Sequence, residues 1–348
     1  MLEKFIPQLL ARQPLSEAQV LEAVEALVDE TEPVTTKADF LMHLSRKGET
    51  VEEIAAFARA LRERAVAPPL DSETRAGEIL DVCGTGGDRA GTFNVSTCVA
   101  LVCAAAGVVV AKHGNRAVTS QSGSADVLEA LGVRIELSPE EAARSLREHG
   151  FAFFFAPRFH PAFKHIAPAR KLCAERGQRT IFNLLGPLLN PARPTAQLIG
   201  VPRPELCVPM AQVLRGLGAR RGMVACGQAD PAAALHLDEL STLGGNTVAE
   251  FGESREVSCA TLAPETLPVQ PTELAQLRGG DRETNAEIVR HILSGLERGP
   301  KRDLVLLNAA AALVVADRVG SLREGWELAA RTIDEGCARA KLQELAGA

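Results

Sequence analysis

The chain has 348 residues, of which 46% are hydrophobic, and a formal net charge of −6 at pH 7. A chain of this size can bury a large core, in one large domain or in a large and a small domain. The mild acidity argues against nonspecific nucleic-acid binding, which usually needs a basic surface. The segment Met1–Pro7 does not resemble a secretory signal, and no stretch has the unbroken apolar length of a membrane span. We therefore expect a soluble cytoplasmic protein that binds neither nucleic acid nor membrane.

The eight cysteines are scattered along the chain, and none forms a Cys-x-x-Cys pair. Several stand within apolar runs, such as Cys98 and Cys103. This pattern predicts free thiols in a reducing cytosol rather than disulfides or a zinc site.

The first sixty-odd residues have apolar positions spaced three and four apart, which predicts helices. The clearest helical segments are Leu15–Leu27, Asp39–Ser45 and Thr50–Arg64, and Thr50 with Glu53 forms a capping-box pair at the start of the last one. No strand pattern interrupts these helices. The following segment, Ala67–Asp71, contains two prolines and is typical of a linker.

From Glu78 onward, short apolar strands alternate with helices. The predicted strands are Ile79–Cys83, Val108–Lys112, Phe151–Phe155, Gln197–Val201 and Gly222–Cys226. The predicted helices are Ser96–Ala106, Ala125–Leu131, Ser138–Gly150, one that ends near Leu217, Arg282–Leu296, Arg302–Asp317 and a last one from Ser321 onward. Uniformly apolar strands that alternate with helices predict a mostly parallel sheet covered on both faces.

The strand pattern disappears between His160 and Pro191, where Phe163–Arg176 and Arg179–Leu189 have helical spacing. We interpret these helices as returning to the N-terminal ones. The predicted fold class is therefore α/β, with a small discontinuous all-helical domain and a large α/β domain around a central, mostly parallel sheet. The small domain would comprise residues 1–68 and 160–191, and the large domain residues 75–159 and 192–348.

Four polar clusters, three of which contain glycine, alternate with apolar runs in residues 81–126. The first, Gly84–Asp88, differs from a dinucleotide fingerprint because Arg89 stands at its last position, and it lacks the Lys-Ser/Thr of a Walker A loop. Three glycines allow a tight turn whose bare N–H groups can approach an anion. A strained turn without a ligand would explain this cluster about as well.

The next clusters carry hydroxyl groups and cations. Asn94–Thr97 begins a predicted helix, where such residues are either ordinary N-caps or, with the free N–H groups, a phosphate site. Lys112–Arg116 follows an apolar strand, and we favour a ligand-binding role for it over a solvated charge cluster. Ser122–Asp126 is the fourth cluster. The combination predicts capture of a heavily phosphorylated small molecule where strand ends and helix N-termini converge.

Two further sets of residues have the chemistry that such a site needs. Asp238 and Glu239 are adjacent acids, which usually lie on a surface turn but could hold Mg²⁺ together with substrate phosphates. Arg170 could pair with a substrate carboxylate in a two-pronged geometry, and His160 lies on the other side of the same apolar segment. Without the other clusters, Arg170 would be interpreted as an ordinary surface arginine.

Taken together, these strings closely resemble the anthranilate phosphoribosyltransferases of tryptophan biosynthesis, over nearly the whole chain. The resemblance rests on the clusters above and on five further strings: Lys47–Thr50, Phe159–Phe163, Arg179–Pro191, Leu237–Ser241 and Asn308–Ala312. It implies a nucleoside phosphorylase/phosphoribosyltransferase-like fold with a cleft between the two domains. It also implies a homodimer formed through the small helical domains.

The resemblance implies that 5-phosphoribosyl 1-diphosphate and anthranilate are the substrates and that Mg²⁺ is the cofactor. The donor would contact Gly84, Gly87, Asp88, Thr92, Asn94, Val95, Ser96, Thr97, Lys112, His113, Gly114, Asn115, Arg116, Ala117, Val118, Thr119, Ser120 and Ser124. Anthranilate would contact Gly84, Asn115, Arg170 and His160, and the metal would be held by Ser96, Asp238 and Glu239. No residue is assigned as an acid or base; Lys112, Arg170 and His160 would act as electrostatic or positioning groups.

The chain departs from the family pattern in two places. The link between Arg170 and Arg179 is longer than usual, which affects the expected orientation of Arg170. Phe163 stands where methionine is frequent, and this replacement keeps the apolar bulk.

Two other functions remain as alternatives. A pyrimidine nucleoside phosphorylase would need a Lys-His-Ser-Thr-Gly-Gly loop and would not need Asp238 and Glu239. A nucleic-acid-binding homologue should be basic and should have lost the anthranilate positions.

Overall fold

The computed structural model describes residues 1–117, 121–230, 232–253 and 256–347, and its first part is a bundle of helices. A 3-10 turn at Leu2–Phe5 leads into helices α1 to α5, which are Ile6–Leu10, Glu17–Val28, Val34–Lys47, Val51–Glu63 and Ser72–Ala76. The predicted capping box at the start of α4 is present, because the Thr50 hydroxyl accepts from the Glu53 N–H while the Glu53 carboxylate accepts from the Thr50 N–H.

Eight strands form one sheet in the described part of the chain. Strands β1 to β8 are Ile79–Gly84, Val109–Gly114, Phe151–Phe155, Ala196–Gly200, Arg221–Asp230, Leu235–Leu237, Asn246–Phe251 and Ser258–Leu262. Their order is β3-β2-β1-β4-β5-β7-β8, with β6 paired to β5 outside this path. The strands β1 to β5 are parallel to one another, which confirms the predicted, mostly parallel sheet.

The antiparallel part of the sheet was not predicted. Strands β6, β7 and β8 extend the sheet beyond β5 in the antiparallel direction. Strand β8 is largely exposed and β6 has three residues, so neither gives the uniform apolar run by which the other strands were recognised.

The helices between and after the strands follow the predicted order with some changes of extent. Helices α6 to α12 are Val95–Ala105, Ser124–Ala130, Pro139–His149, Ala156–Phe159, Ala167–Glu175, Phe182–Leu185 and Cys207–Gly216. The predicted helix Arg179–Leu189 is only the short α11, continued by a 3-10 turn at Gly186–Leu189. The segment Pro161–His165 is also a 3-10 turn.

The chain described here ends with four helices rather than the predicted three. Helices α13 to α16 are Arg282–Leu293, Pro300–Val315, Leu322–Asp334 and Cys337–Ala346. The predicted last helix is divided because Gly336 adopts a left-handed conformation, with φ of 79°, between α15 and α16. None of the helices in the described ranges is long and apolar enough to cross a bilayer.

The two largest hydrophobic cores lie on opposite faces of the sheet. On one face, Leu198 packs in a core built around α6 and α14. On the other face, Ile199 packs in a core that contains α12, the N-terminal helices and the segment 166–189. Helix α10 packs directly on α3. Because α12 contacts both α4 and β5, it links the helical bundle to the sheet.

Candidate active site

The glycine loop follows β1 at the carboxyl edge of the sheet. The backbone at Gly84 passes so close to Asp238 that a Cβ there would lie 2.1 Å from the Asp238 Oδ2 atom. Gly86 and Gly87 have φ of 75° and 87°, a conformation that L side chains rarely adopt. The Gly86 N–H donates to Asp238 Oδ2 at 2.6 Å. Gly84 is thus required by the close approach of Asp238, and Gly86 and Gly87 are required by their backbone conformation.

Asp238 and Glu239 follow β6 and lie across the ends of the parallel strands. A Cβ at Gly200, the last residue of β4, would be 1.5 Å from the Asp238 carbonyl oxygen, and one at Gly227 in β5 would be 2.6 Å from that of Glu239. The antiparallel return through β6 therefore brings two acids to the glycine loop, although about 150 residues separate them from it in sequence.

The electrostatics of this acidic cluster favour a bound cation. Burial and the negative charge of Asp88 raise the pKa of Asp238 to about 7. Burial and the charges of Asp238 and Asp88 raise the pKa of Glu239 well above its usual value. Glu239 Oε2 and Asp88 Oδ2 are buried and have no hydrogen-bond partner in the described part of the chain. A divalent cation would neutralise such oxygens, and their type fits the preference of Mg²⁺.

These acids do not form a complete metal site by themselves. Within the described ranges, no three His, Cys, Asp or Glu side chains converge in a metal-binding arrangement. A cation held here would therefore draw the rest of its ligands from substrate and water, as Mg²⁺ commonly does.

Lys112 supplies a buried positive charge at the same edge. Its side chain comes from β2 and is 1% exposed. The Nζ atom donates to the Val82 carbonyl at 2.8 Å and to the Ser96 hydroxyl at 3.2 Å. Burial lowers the pKa of Lys112, and the nearby carboxylates of Asp81 and Glu239 oppose that shift. The predicted residues Lys112 and Ser96 are thus brought into contact, beside Val95 and the acidic pair.

The N-terminus of α6 lacks the side-chain cap that its sequence suggests. Asn94 occupies the N-cap position, but its amide donates to the Ser122 carbonyl at 3.3 Å and its oxygen accepts from Asn285 at 2.9 Å. The Thr97 hydroxyl is buried without a hydrogen-bond partner in the described part of the chain. The Val95 N–H donates to the Phe93 carbonyl at 2.8 Å, whereas the N–H groups of Ser96 and Thr97 have no side-chain cap, as in helix termini that bind anions.

The loop after β2 is tightly packed. A Cβ at Gly114 would lie 2.2 Å from Ser124 Oγ, which donates to the Asn115 carbonyl at 3.4 Å. Arg116 pairs with Asp126 at 3.1 Å and Glu129 at 2.9 Å, so an Arg116–phosphate contact would compete with these ion pairs.

Other predicted donor residues take part in local contacts. The Ala117 N–H donates to Asp126 at 2.9 Å. Thr92 contacts Glu239 through its hydroxyl at 3.5 Å. Val118, Thr119 and Ser120 were also predicted to contact the donor, and they lie outside the described residues.

A row of aromatic rings runs from the end of β2 toward α10. The His113 and His160 rings are 5.3 Å apart edge to face, and the His160 ring stacks on Phe163 at 5.0 Å. Phe163 meets Phe182 edge to face at 5.7 Å, and the Arg170 guanidinium lies 5.3 Å from the centre of the Phe182 ring. Phe163, which departs from the family pattern, therefore contributes to this wall.

The charges along this wall suit a planar acid. Burial, with the neighbouring His160, lowers the pKa of His113 to about 3, and burial lowers that of His160 to about 4. Arg170 has no carboxylate within ion-pair distance in the described chain. A flat aromatic molecule with a carboxylate would find stacking surface, neutral imidazoles and one unpaired guanidinium here.

Sequence reasoning did not assign a role to several residues that shape the site. Asn308, 3% exposed in the alanine-rich α14, exchanges hydrogen bonds with both backbone groups of Leu240 at 2.9 and 2.8 Å and so fixes the chain beside Glu239. The sequence signal for this role was the polar Asn308 directly before the alanine run 309–312. Asn285 holds Asn94, and the Arg179 Nη2 atom donates to the Gly87 carbonyl at 2.7 Å.

Comparison with known proteins identifies the class to which this arrangement belongs. Residues 3–65 match the helical bundle domain of the glycosyl transferase family, and residues 76–339 match its a/b domain. The fold and site are therefore those of a glycosyl transferase with a helical bundle beside an α/β domain.

Individual relatives make the assignment narrower. The anthranilate phosphoribosyltransferase of Petrotoga mobilis is 45% identical, over 99% of this chain and 96% of its own. The crystal structure of the Thermus thermophilus anthranilate phosphoribosyltransferase superposes with a TM-score of 0.88 at 42% identity, covering 98% of each chain. The Saccharomyces cerevisiae enzyme in complex with PRPP and Mg has a TM-score of 0.87 at 27% identity, over 99% of this chain and 97% of its own. The chain belongs to the anthranilate phosphoribosyltransferase family, as the sequence motifs predicted.

Proposed function

We propose that this protein transfers the 5-phosphoribosyl group from 5-phosphoribosyl 1-diphosphate to the amine of anthranilate and releases diphosphate, in the second step of tryptophan biosynthesis from chorismate. The observation that carries this proposal is the meeting of Lys112, Ser96 and the Asp238–Glu239 pair at the end of β1, beside the aromatic wall that ends at Arg170. Donor chemistry and acceptor chemistry are thus adjacent.

The donor site would extend along the loops at the carboxyl edge of the sheet. The N–H groups of the glycine loop and of the uncapped start of α6 would donate to the phosphate oxygens, because no side chain competes for them. The proposed donor-binding residues are those implied by the family motifs: Gly84, Gly87, Asp88, Thr92, Asn94–Thr97, Lys112–Ser120 and Ser124.

Mg²⁺ would be held by Asp238, Glu239 and Ser96 together with phosphate oxygens of the donor. The PRPP and Mg complex of the yeast relative supports this assignment, as do the unpartnered Glu239 oxygen and the raised pKa values of the two acids. When bound, the cation would supply neutralisation of the leaving diphosphate.

The chain itself would supply charge and alignment rather than a base. The ribose C1–O bond to diphosphate breaks with oxocarbenium character, and diphosphate leaves with the electron pair of that bond. The neutral aromatic amine attacks the same carbon to form the C1–N bond, and its excess proton then passes to solvent. Lys112 is fixed in place by Val82 and Ser96, so it can stabilise the departing phosphate without reorganising. Arg170 would hold the acceptor carboxylate and orient the amine toward C1. His160, Asn115 and Gly84 would also contact the acceptor.

We further propose a cytoplasmic homodimer formed through the helical bundle. The exposed apolar side chains of that bundle include Leu10, Leu21 and Val34, which are 65%, 43% and 40% exposed. Covering them against a second copy would bury this apolar surface. Light scattering should give the dimer mass, and Leu10→Glu with Leu21→Glu should shift it toward the monomer.

The decisive test is loss of anthranilate fluorescence on mixing protein, 5-phosphoribosyl 1-diphosphate and Mg²⁺. We expect loss only when all three are present, with EDTA abolishing it. The double variant Asp238→Asn with Glu239→Gln should fold but show no turnover at ordinary Mg²⁺. Wild-type rates in that variant would refute the metal assignment, and a wild-type protein that binds the donor but does not consume anthranilate would refute the acceptor.

A further inference from the structure

Arg179 makes the contact that joins the acceptor side of the site to the glycine loop. The Arg179 Nη2 atom donates to the Gly87 carbonyl at 2.7 Å. A Cβ at Gly87 would lie only 2.3 Å from this Nη2 atom. In the described part of the chain, this is the one hydrogen bond between segment 166–189 and loop 84–92. Arg179 also has no carboxylate within ion-pair distance among the described residues.

The segment that carries Arg179 is anchored on helix α3. Cys173 contacts the Ala38 carbonyl at 3.6 Å, Arg176 pairs with Asp39 at 3.4 Å, and Gln178 contacts the Ser45 hydroxyl at 3.5 Å. The longer link after Arg170 therefore follows α3 and turns at Gly177, where φ is 67°. It delivers Arg179 to the loop while Arg170 stays against Phe182.

The glycine loop has few other restraints. Gly86, Gly87 and Arg89 are exposed, and the two glycines carry no side chain that could pack. On the inner side, the Gly86 N–H is held by Asp238. On the outer side, the Gly87 carbonyl is held by Arg179. Without the outer bond the peptide after Gly87 could rotate, and ordering it again would cost conformational entropy when the donor binds.

We infer that Arg179 is a positioning residue for the donor: through the Gly87 carbonyl it keeps the glycine-loop N–H groups directed at the phosphates. This inference rests on the proposed phosphoribosyl transfer. Arg179 thus serves the donor, whereas Arg170 at the other end of the same link serves the acceptor. The two arginines should separate cleanly in kinetics.

The test compares Arg179→Ala and Arg179→Lys with the control Lys171→Ala, which removes an exposed cation of the same link whose ion-pair partner among the described residues is Glu175, at 4.0 Å. In Arg179→Ala we expect the KM for 5-phosphoribosyl 1-diphosphate to rise about tenfold, since a hydrogen bond from a charged donor is lost at an exposed position. The KM for anthranilate should stay within about twofold of the wild-type value. Lysine should restore part of the loss, because an ammonium can also donate to the carbonyl.

Hydrogen–deuterium exchange of the substrate-free protein gives a second readout that does not depend on turnover. The peptide covering residues 84–90 should exchange faster in Arg179→Ala and at the wild-type rate in Lys171→Ala. Equal exchange and equal donor KM in the two variants would overturn the inference, as would equal rises of both KM values. If the transferase assignment itself were wrong, the exchange difference would remain while no turnover appeared, so the two failures are distinguishable.

Discussion

The replacement Asp238→Asn should stabilise the metal-free protein while removing its activity. In the absence of a cation, the Asp238 carboxylate is close to Asp88 and Glu239 and receives one backbone hydrogen bond, from Gly86. The oxygen of an asparagine amide can accept the same bond from the same position. The substitution therefore removes a negative charge from an acidic cluster without removing its structural contact.

The structure gives the size of the effect. A rise of the Asp238 pKa from 3.8 to about 7 corresponds to about 4 kcal/mol, at about 1.4 kcal/mol per unit. The side chain is only partly buried, so water in the cleft screens much of this cost. We expect the free energy of unfolding to increase by about 1 to 2 kcal/mol at pH 8, or a few degrees in Tm.

The effect should depend on pH in a defined direction. Between the unfolded pKa of 3.8 and the folded value of about 7, the folded protein holds a proton that the unfolded chain has lost. Wild-type stability therefore falls as pH rises through this window, and the full cost is present above pH 7. Because asparagine does not ionise, the advantage of Asp238→Asn should be about two-fifths of its full size at pH 5 and full at pH 8.

Denaturant unfolding with EDTA present, at both pH values, measures this difference. The exposed Glu250 provides a matched control, since Glu250→Gln also removes one acidic charge but lies on β7 away from the cluster. A difference between Asp238→Asn and wild type that is the same at pH 5 and pH 8 would contradict the argument. So would an Asp238→Asn variant that is less stable than wild type at pH 8, because it would make the carboxylate a structural contact.

Three further substitutions test separate parts of the site. Lys112→Met should lower kcat/KM about a hundredfold in steady-state assays, because it removes the cation beside the leaving group. The circular dichroism spectrum should be unchanged, and near-normal turnover would contradict this role. Asn308→Ala should cost about 1 to 3 kcal/mol in denaturant unfolding, because it leaves both backbone groups of Leu240 without their partners; an unchanged midpoint would show that Leu240 is held otherwise. Arg170→Ala should raise the KM for anthranilate at least about tenfold and leave the KM for the donor within about twofold of the wild-type value. Arg170→Lys should not restore anthranilate binding, because a two-pronged contact needs a guanidinium. Equal effects on both KM values would mean that Arg170 has a structural role.

The parts of the fold that the sequence predicted are those whose signal is local. The strands β1 to β5 are apolar runs bounded by glycine or polar residues, and the capping residue Thr50 stands at the start of its helix as expected. The meeting of the polar clusters also follows from local order, because residues that come directly after parallel strands lie at one edge of the sheet.

The parts that the sequence did not predict depend on contacts between distant segments. Nothing near Asp238 indicates that its backbone will pass over Gly200, since that depends on β6 turning back against β5. Arg179 and Asn308 were present in strings that resemble the family, yet their roles come from a carbonyl 92 residues away and a backbone segment 68 residues away. Spacing along the chain carries no information about such partners.

The charges of the site explain why donor and cation should bind together. Asp88, Asp238 and Glu239 provide three carboxyl groups against the single ammonium of Lys112, in a region that raises the pKa values of Asp238 and Glu239 and lowers that of Lys112. The acids repel a phosphorylated donor when they are ionised, and they bind a cation poorly when they are protonated. A divalent cation accompanied by diphosphate removes both difficulties, because the cation satisfies the acids while the phosphates complete its ligand shell. On the proposed site, the acidic cluster would therefore favour the metal-bound donor over either component alone. The glycine loop, held by Asp238 on one side and Arg179 on the other, would present its N–H groups to the phosphates of that complex.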